Sequence, residues 1–204
     1  MSVHVVLIRP GATLYDEQLR VQGTLDLPLS QRGRDEVQTL SQSLVPVEMA
    51  ALYHGPGESL QATAEAIGQA AGLRPRCLEE LCNLDQGLWQ GLQLEEIKRR
   101  NLKLFRQWLE DPLTICPPQG ETVEDASARV KQALKPLWKR HRDQRIGIIV
   151  GEPLAQIVLA YLRGAARPQL EDLLDTGSYE MIDVAPEIMR NGFALRRPND
   201  SRID

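Results

Sequence analysis

Val3–Ile8 and Ile146–Val150 are short, almost unbroken apolar runs, each stopped by a turn-forming segment, Arg9-Pro-Gly11 and Gly151-Glu-Pro153. A run with no polar side must be covered on both faces, as an interior strand of a parallel sheet is. Met49–Tyr53 is a third, shorter run, and it leads into His54-Gly-Pro-Gly57. Helical stripes fall between the runs. Ser30-Gln-Arg-Gly-Arg34 opens a helix carrying Val37, Leu40 and Leu44 on one face, and Leu60, Ala64, Ile67 and Ala71 line another that starts at Glu58. Thr122 is placed to cap a third, with Asp125 three residues on and Ala126, Val130, Leu134 and Leu137 as its stripe. Leu154, Ile157, Val158 and Tyr161 mark a fourth. Strands alternating with amphipathic helices predict an α/β fold: a three-layer sandwich, its central sheet mostly parallel, with helices on both faces.

The remaining elements are read as follows. Leu78–Leu84 is expected as a short strand, Tyr179–Val184 as the last one and Phe193–Arg196 as an edge piece. Residues 88–120 are expected to form a small helical cap whose inner face is Leu94, Ile97, Leu104 and Trp108, closed by a Pro-rich loop from Asp111 to Gly120. The whole chain, 1–204, reads as one domain. Trp89 is expected in the core, and His141, within Lys139-Arg-His-Arg142, in solvent.

A net charge of −4 gives no reason to expect nucleic acid or an anionic membrane as partner. No stretch approaches the ~20 apolar residues of a membrane span. The first residues lack a signal-peptide pattern, so a cytoplasmic location is expected. Cys77, Cys82 and Cys116 have neither Cys-x-x-Cys spacing nor a nearby histidine for zinc, and read as structural, with Cys116 a candidate exposed thiol. No metal and no cofactor are expected. The partner is expected to be a small molecule or a protein.

In open parallel sheets ligands sit beyond the carboxyl ends of the strands. Three such ends are legible: Arg9-Pro-Gly-Ala-Thr13, His54-Gly-Pro-Gly57 and Gly151-Glu-Pro153. Leu7-Ile-Arg-Pro-Gly-Ala-Thr13 resembles the Leu-Ile-Arg-His-Gly-Glu-Thr signature of the histidine phosphatase superfamily, the phosphoglycerate-mutase-like proteins. The likeness continues in order along the chain. Arg20-Val-Gln-Gly23 with Asp26-Leu-Pro-Leu-Ser-Gln-Arg-Gly33, the Tyr53–Ala64 segment, Leu84-Asp-Gln-Gly-Leu-Trp-Gln-Gly91 and Pro118-Gln-Gly-Glu121 are each similar to a family segment.

The resemblance implies the fold just described and a phosphate pocket at the strand ends. It also assigns the chemistry, and the assigned positions differ here. The family's phosphorylated histidine falls on Pro10, its second pocket histidine on Gly151, the general acid of one subset on Asn83 and the second phosphate-binding arginine on Ser59. Asp16 stands where some members carry asparagine. Arg9 is retained, with Gly11 and Thr13 as loop formers. The candidate pocket is therefore Arg9, Gly11, Thr13, Asp16, Gln22, Gly23, His54, Ser59 and Glu152.

A pocket that has exchanged imidazoles and an arginine for carboxylates disfavours a phosphate dianion. Asp16 or Glu152 is expected to pair with Arg9. His54 reads either as a loop residue with a local hydrogen bond or as a relocated acid, base or nucleophile. Asp16 and Glu152 as an acid/base pair is a further possibility. His4, ~20 Å from Pro10 along an extended strand, cannot stand in for the missing histidine. The expectation is a pseudophosphatase that acts in binding or regulation. Its alternative is an enzyme of altered or weak activity on a small phosphorylated or polar metabolite. A third reading, a regulatory partner of an active relative, predicts a large exposed apolar patch around Leu94–Leu109.

Overall fold

The computed structural model describes residues 2–113, 115–170, 173–185 and 188–189. Five strands form one sheet: β1 (His4–Ile8), β2 (Ala51–His54), β3 (Arg76–Cys77), β4 (Arg145–Ile149) and β5 (Tyr179–Asp183), in the order β3-β2-β4-β1-β5. All neighbours are parallel except β1 and β5, where the chain returns antiparallel along the edge. The described helices are α1 (Leu14–Glu17), α2 (Gln31–Leu44), α3 (Glu58–Ala71), α4 (Leu94–Glu110), α5 (Val123–Arg140) and α6 (Leu154–Arg163).

Alternation along the strands sends side chains into two separate cores. Val6 and Ile8 of β1, Leu52 of β2 and Ile149 of β4 pack with Leu40 and Leu44 of α2 and Leu60 and Ile67 of α3. Val5, Leu7, Tyr53, Ile146 and Ile148 point the other way, onto Val130, Leu134 and Leu137 of α5 and Ile157 and Val158 of α6. Helices therefore cover both faces, and the α/β three-layer sandwich is the architecture observed. Each buried Val, Leu or Ile contributes about 1.5–3 kcal/mol through removal from water. Ser30 caps α2 by accepting from the Gly33 amide at 3.0 Å, and Thr122 caps α5 by accepting from the Asp125 amide at 3.1 Å.

Several local expectations are corrected. Leu78–Leu84 is not a strand: after the two residues of β3 comes a 3-10 turn, Glu79–Leu81. Leu78, Leu81 and Leu84 recur every third residue, the period of that turn, and a strand would need period two. Helix α4 leaves helical geometry at Asn101 (φ −154°, ψ 62°). Ile97, Phe105 and Trp108 are buried, and Leu94 and Leu104 pack half-buried against the same core.

His141 is buried. It follows the last turn of α5, and its Nε2 lies 2.8 Å from the Tyr53 hydroxyl and its Nδ1 3.0 Å from Gln144 Oε1. Cys77, on edge strand β3, is exposed, whereas Cys116 donates to the Gly120 carbonyl at 3.2 Å. Trp89 is in the core, and the 193–196 edge piece lies outside the described residues.

One close approach fixes the loop after β1. A Cβ on Gly33 would lie 2.0 Å from the Ala12 carbonyl oxygen, and one on Gly11 would lie 2.3 Å from the Gly33 carbonyl oxygen. Backbone atoms cannot yield as a flexible side chain can. Gly33→Ala is therefore expected to destabilise the fold by about 1–3 kcal/mol through overpacking, read as a lowered urea midpoint at unchanged slope.

Candidate functional site

Parallel register brings three strand ends to one level. Ile8 pairs with Ile149, and Ile149 with His54, so Arg9, Gly55 and Val150 leave the sheet side by side. A cavity of about 790 Å³ opens beyond them. Its wall includes Arg9, Pro10, Gly11, Thr13, Asp16, Gln22, Gly23, Ser59, Asn83, Gly151 and Glu152. Those residues, drawn from several distant segments, are brought together by the fold. His54 is not in that wall. It is buried at the end of β2, on the same side as Leu52, and its Nδ1 lies 2.8 Å from the Gly55 carbonyl oxygen. The two-residue period of the strand turns it toward α3, away from the opening.

The floor is a closed set of ionic hydrogen bonds. Arg9 donates from Nη2 to Asp16 Oδ1 at 2.6 Å and from Nη1 to the Leu174 carbonyl at 2.8 Å. The other Asp16 oxygen accepts from the Thr13 amide and hydroxyl, both at 2.7 Å, in the capping box that starts α1. Of the two carboxylates expected to pair with Arg9, it is Asp16 that does so. Glu152 instead accepts at Oε1 from the Leu174 amide (2.8 Å) and Gln156 Nε2 (3.2 Å). Leu174 is thus clasped by its carbonyl to Arg9 and by its amide to Glu152.

Burial pushes the Glu152 carboxyl above its ordinary range, against the opposing pull of Arg9 and of the Leu174 and Gln156 donors. Its second oxygen, Oε2, is buried without a hydrogen-bond partner.

Asn83 fills the space beside β4. Its Nδ2 donates to the carbonyls of Gly23 (2.9 Å) and Glu152 (2.8 Å), while Oδ1 accepts from the amides of Leu84 (2.9 Å) and Leu154 (3.3 Å). A Cβ on Gly151 would lie 3.3 Å from Asn83 Nδ2, so Asn83 crowds the space a larger residue there would need. Arg129 holds this loop from behind, with a forked pair to Glu121 (2.7 and 2.8 Å) and bonds to the carbonyls of Glu80 (2.7 Å), Cys82 (2.6 Å) and Asn83 (3.2 Å).

At α3 the amide of Glu58, in the first turn, is taken by Asp26 Oδ1 at 2.7 Å. A helix N-terminus is a natural anion site, and here the chain supplies its own anion.

Sequence reading did not single out Asp26, the clasped Leu174 segment, or Phe105 and Leu170 of the apolar half of the wall, which also holds Trp89, expected in the core, and Leu94 and Trp108, expected on the inner face of the cap. Asp26 lay inside a motif already quoted, but it meets α3 across 32 residues of chain, a contact that no local pattern announces. Leu174 gave none, since it depends on the antiparallel return into β5; Phe105, eight residues after Ile97, lay on the helical stripe and was passed over. Among the described residues no group of three or more His, Cys, Asp or Glu side chains is arranged to hold a metal, and no helix is long and apolar enough to cross a membrane.

The profile of the histidine phosphatase superfamily (branch 1) matches residues 5–201, and the chain belongs to that superfamily. Phosphoserine phosphatase 1 of Hydrogenobacter thermophilus is 29% identical over 147 residues, 72% of this chain and 70% of that protein. A bifunctional protein of Mycobacterium tuberculosis is 30% identical over 175 residues, 85% of this chain but only 45% of its own length. Among solved structures, a mycobacterial glucosyl-3-phosphoglycerate phosphatase complexed with VO3 superposes with a TM-score of 0.80 at 24% identity, covering 87% of this chain and 91% of that one. A mycobacterial hydrolase reaches 0.82 at 22% identity, with 90% and 91% covered, and both structures share the fold.

Because the folded Glu152 carboxyl holds its proton to higher pH than the unfolded chain does, the native state binds more protons between the two titrations. Stability must fall as pH rises through that window. Glu152→Gln is expected to flatten this fall and to leave the variant at least as stable as the parent at neutral pH. Urea unfolding from pH 4 to 8 measures it, and an unchanged slope would contradict the assignment.

Proposed function

We propose that this chain is a histidine-phosphatase-fold protein that acts in binding or regulation without phosphoryl transfer. The observation that carries the reading is the 2.6 Å pair between Arg9 and Asp16. The guanidinium that the family resemblance assigns to phosphate is already bound to a carboxylate of the same chain, and that carboxylate is itself held by Thr13. Asp26 occupies the first turn of α3 in the same way.

Three further positions support it. Pro10, at the place the resemblance gives to the phosphorylated histidine, has neither a nucleophile nor a backbone donor. Gly151 carries no imidazole, and Asn83 crowds the space beside it. Asn83 has its amide donors on the carbonyls of Gly23 and Glu152, so it offers no acid. Phosphoryl transfer needs an attacking group, a proton donor and cations around the phosphoryl oxygens; in the family's places the wall keeps only the cation Arg9, and that is paired with Asp16. The 88–120 segment serves in this reading as a cap, with Leu94, Phe105 and Trp108 turned to the cavity.

A second reading, an enzyme of altered or weak activity, rests on Glu152, whose raised titration suits a proton donor, and on relatives named as phosphatases. His54 gives it no help from outside the wall.

Phosphoserine and p-nitrophenyl phosphate are expected to release no phosphate above the blank, and no phosphohistidine is expected to form. Calorimetry should show no saturable binding of inorganic phosphate at millimolar concentration. Asp16→Asn should free Arg9 and raise phosphate affinity by at least about tenfold, or about 1.4 kcal/mol. Turnover by the parent chain would overturn the binding reading. Its loss in Glu152→Gln would establish the enzymatic one.

A further inference from the structure

We infer that the cavity takes an amphipathic primary amine, with its ammonium head at Glu152 and Gln86 and its apolar body against Trp89, Phe105 and Trp108. The inference rests on the reading that the pocket no longer receives phosphate, and it names what the pocket receives in its place.

Size and lining come first. A volume of about 790 Å³ is that of a small-molecule site. Trp89 meets Trp108 edge-on at 5.6 Å between ring centroids, and Phe105 stands 6.2 Å from Trp89, giving the wall an aromatic corner. Apolar surface continues to the mouth through Leu19, Leu25 and Leu173, which are 66%, 37% and 49% exposed. Leucines left in water around an opening are the expected edge of a site for an apolar body.

Unanswered polar atoms define the head. Glu152 Oε2 and Gln86 Oε1 both belong to wall residues, and both are buried without a hydrogen-bond partner. Gln86 is only 3% exposed, so water does not readily compensate it. Both atoms accept, and a phosphate or carboxylate head would bring only more acceptors. An ammonium group brings three donors and no acceptor. Trp108 Nε1 is a buried donor without a partner, and it would receive one acceptor placed along the ligand's body.

Charge points the same way. Arg9 is bonded to Asp16, so Glu152 lies within its field but has no direct ion pair of its own. The other cationic wall residues are engaged: Arg32 with Glu36 at 2.7 Å, Lys98 with Glu95 at 2.8 Å and Arg20 with the Gly91 carbonyl at 2.6 Å. An incoming cation gives Glu152 a direct ion pair, whereas of these cations only Arg20, bonded to a carbonyl and not to a carboxylate, keeps its charge for an anion.

Trp89 and Trp108 report occupancy by fluorescence once Trp138, stacked on Tyr161 in the core, is replaced in Trp138→Phe. The probes are n-octylamine, 1-octanol and n-octyl phosphate, and calorimetry on the unmodified chain reads the same three if Trp138→Phe fails to fold. The amine is expected to saturate with a Kd at least about tenfold below that of octanol, with octyl phosphate the weakest. Glu152→Gln should raise the amine's Kd to near that of octanol and leave octanol unchanged. Equal binding of amine and octanol, no effect of Glu152→Gln, or no binding of any probe would overturn the inference while leaving the absence of phosphate chemistry standing. Tightest binding of octyl phosphate would overturn both.

Discussion

Pairing of β1 with β4, residue for residue from His4↔Arg145 to Ile8↔Ile149, is the constraint on which the rest of the molecule depends. It sets Arg9 and Val150 at one height, and through β2 it adds Gly55. The strands are apolar on both faces, so polarity alone does not choose a register, and a slip by one residue would merely exchange one apolar set for another. Shape makes the choice. Gly147 faces the α2–α3 side, where a Cβ would lie 2.6 Å from Leu52 Cδ1 and 2.7 Å from Met49 Sδ, so a side chain there would have to displace both. Arg145 is tied to the Val47 carbonyl at the start of β4 and His4 to Asp183 at the start of β1. A one-residue slip would put Ile146 or Ile148 where Gly147 stands and would separate the groups that converge on the cavity.

Once the strand ends are level, the floor is decided by a competition between internal and external anions. Asp16 lies seven residues from Arg9 and is fixed by the α1 capping box, so the guanidinium meets it within the chain, with no association step to pay for. Displacing it would strip the Thr13 amide and hydroxyl of their acceptor as well, leaving donors unmade in a partly buried site. The capping box and the occupied arginine are therefore one structure. A change of residue at 16 alters the start of α1 and the charge of the pocket together.

Much of this was legible in the sequence, and the boundary of legibility has a physical reason. The unbroken apolar runs could only be covered strands, and ligand position follows from strand ends, so Arg9, Gly151 and Glu152 were placed from the strand ends and Asp16 from the family resemblance. Contacts between segments distant in the chain were not. His54 sits at a strand end as expected, but its side is fixed by the parity of β2 relative to Leu52 and Tyr53. Leu174 reaches Arg9 because β5 returns antiparallel, a direction that its residues do not announce. Phe105 joins Leu104 on the inner face of α4, four residues beyond the departure from helical geometry at Asn101, and was passed over although it lies eight residues after Ile97 on the same stripe. His141 reads as solvated from its basic neighbours, yet the end of α5 folds it onto Tyr53.

The buried polar atoms without partners bear on the free energy of the whole protein. Native interiors leave few such atoms, and each costs about 1–3 kcal/mol relative to a bonded one. Here Glu152 Oε2, Gln86 Oε1 and Trp108 Nε1 belong to the wall of one cavity. A scattered set would be a general defect of packing. A set gathered on one wall lowers the stability of the empty protein at the place where a ligand can restore it. The empty state is then held below its attainable stability, and any molecule that supplies the missing partners stabilises the fold in proportion to the logarithm of its concentration over its Kd. Occupancy of the pocket and stability of the sandwich are linked by the same atoms.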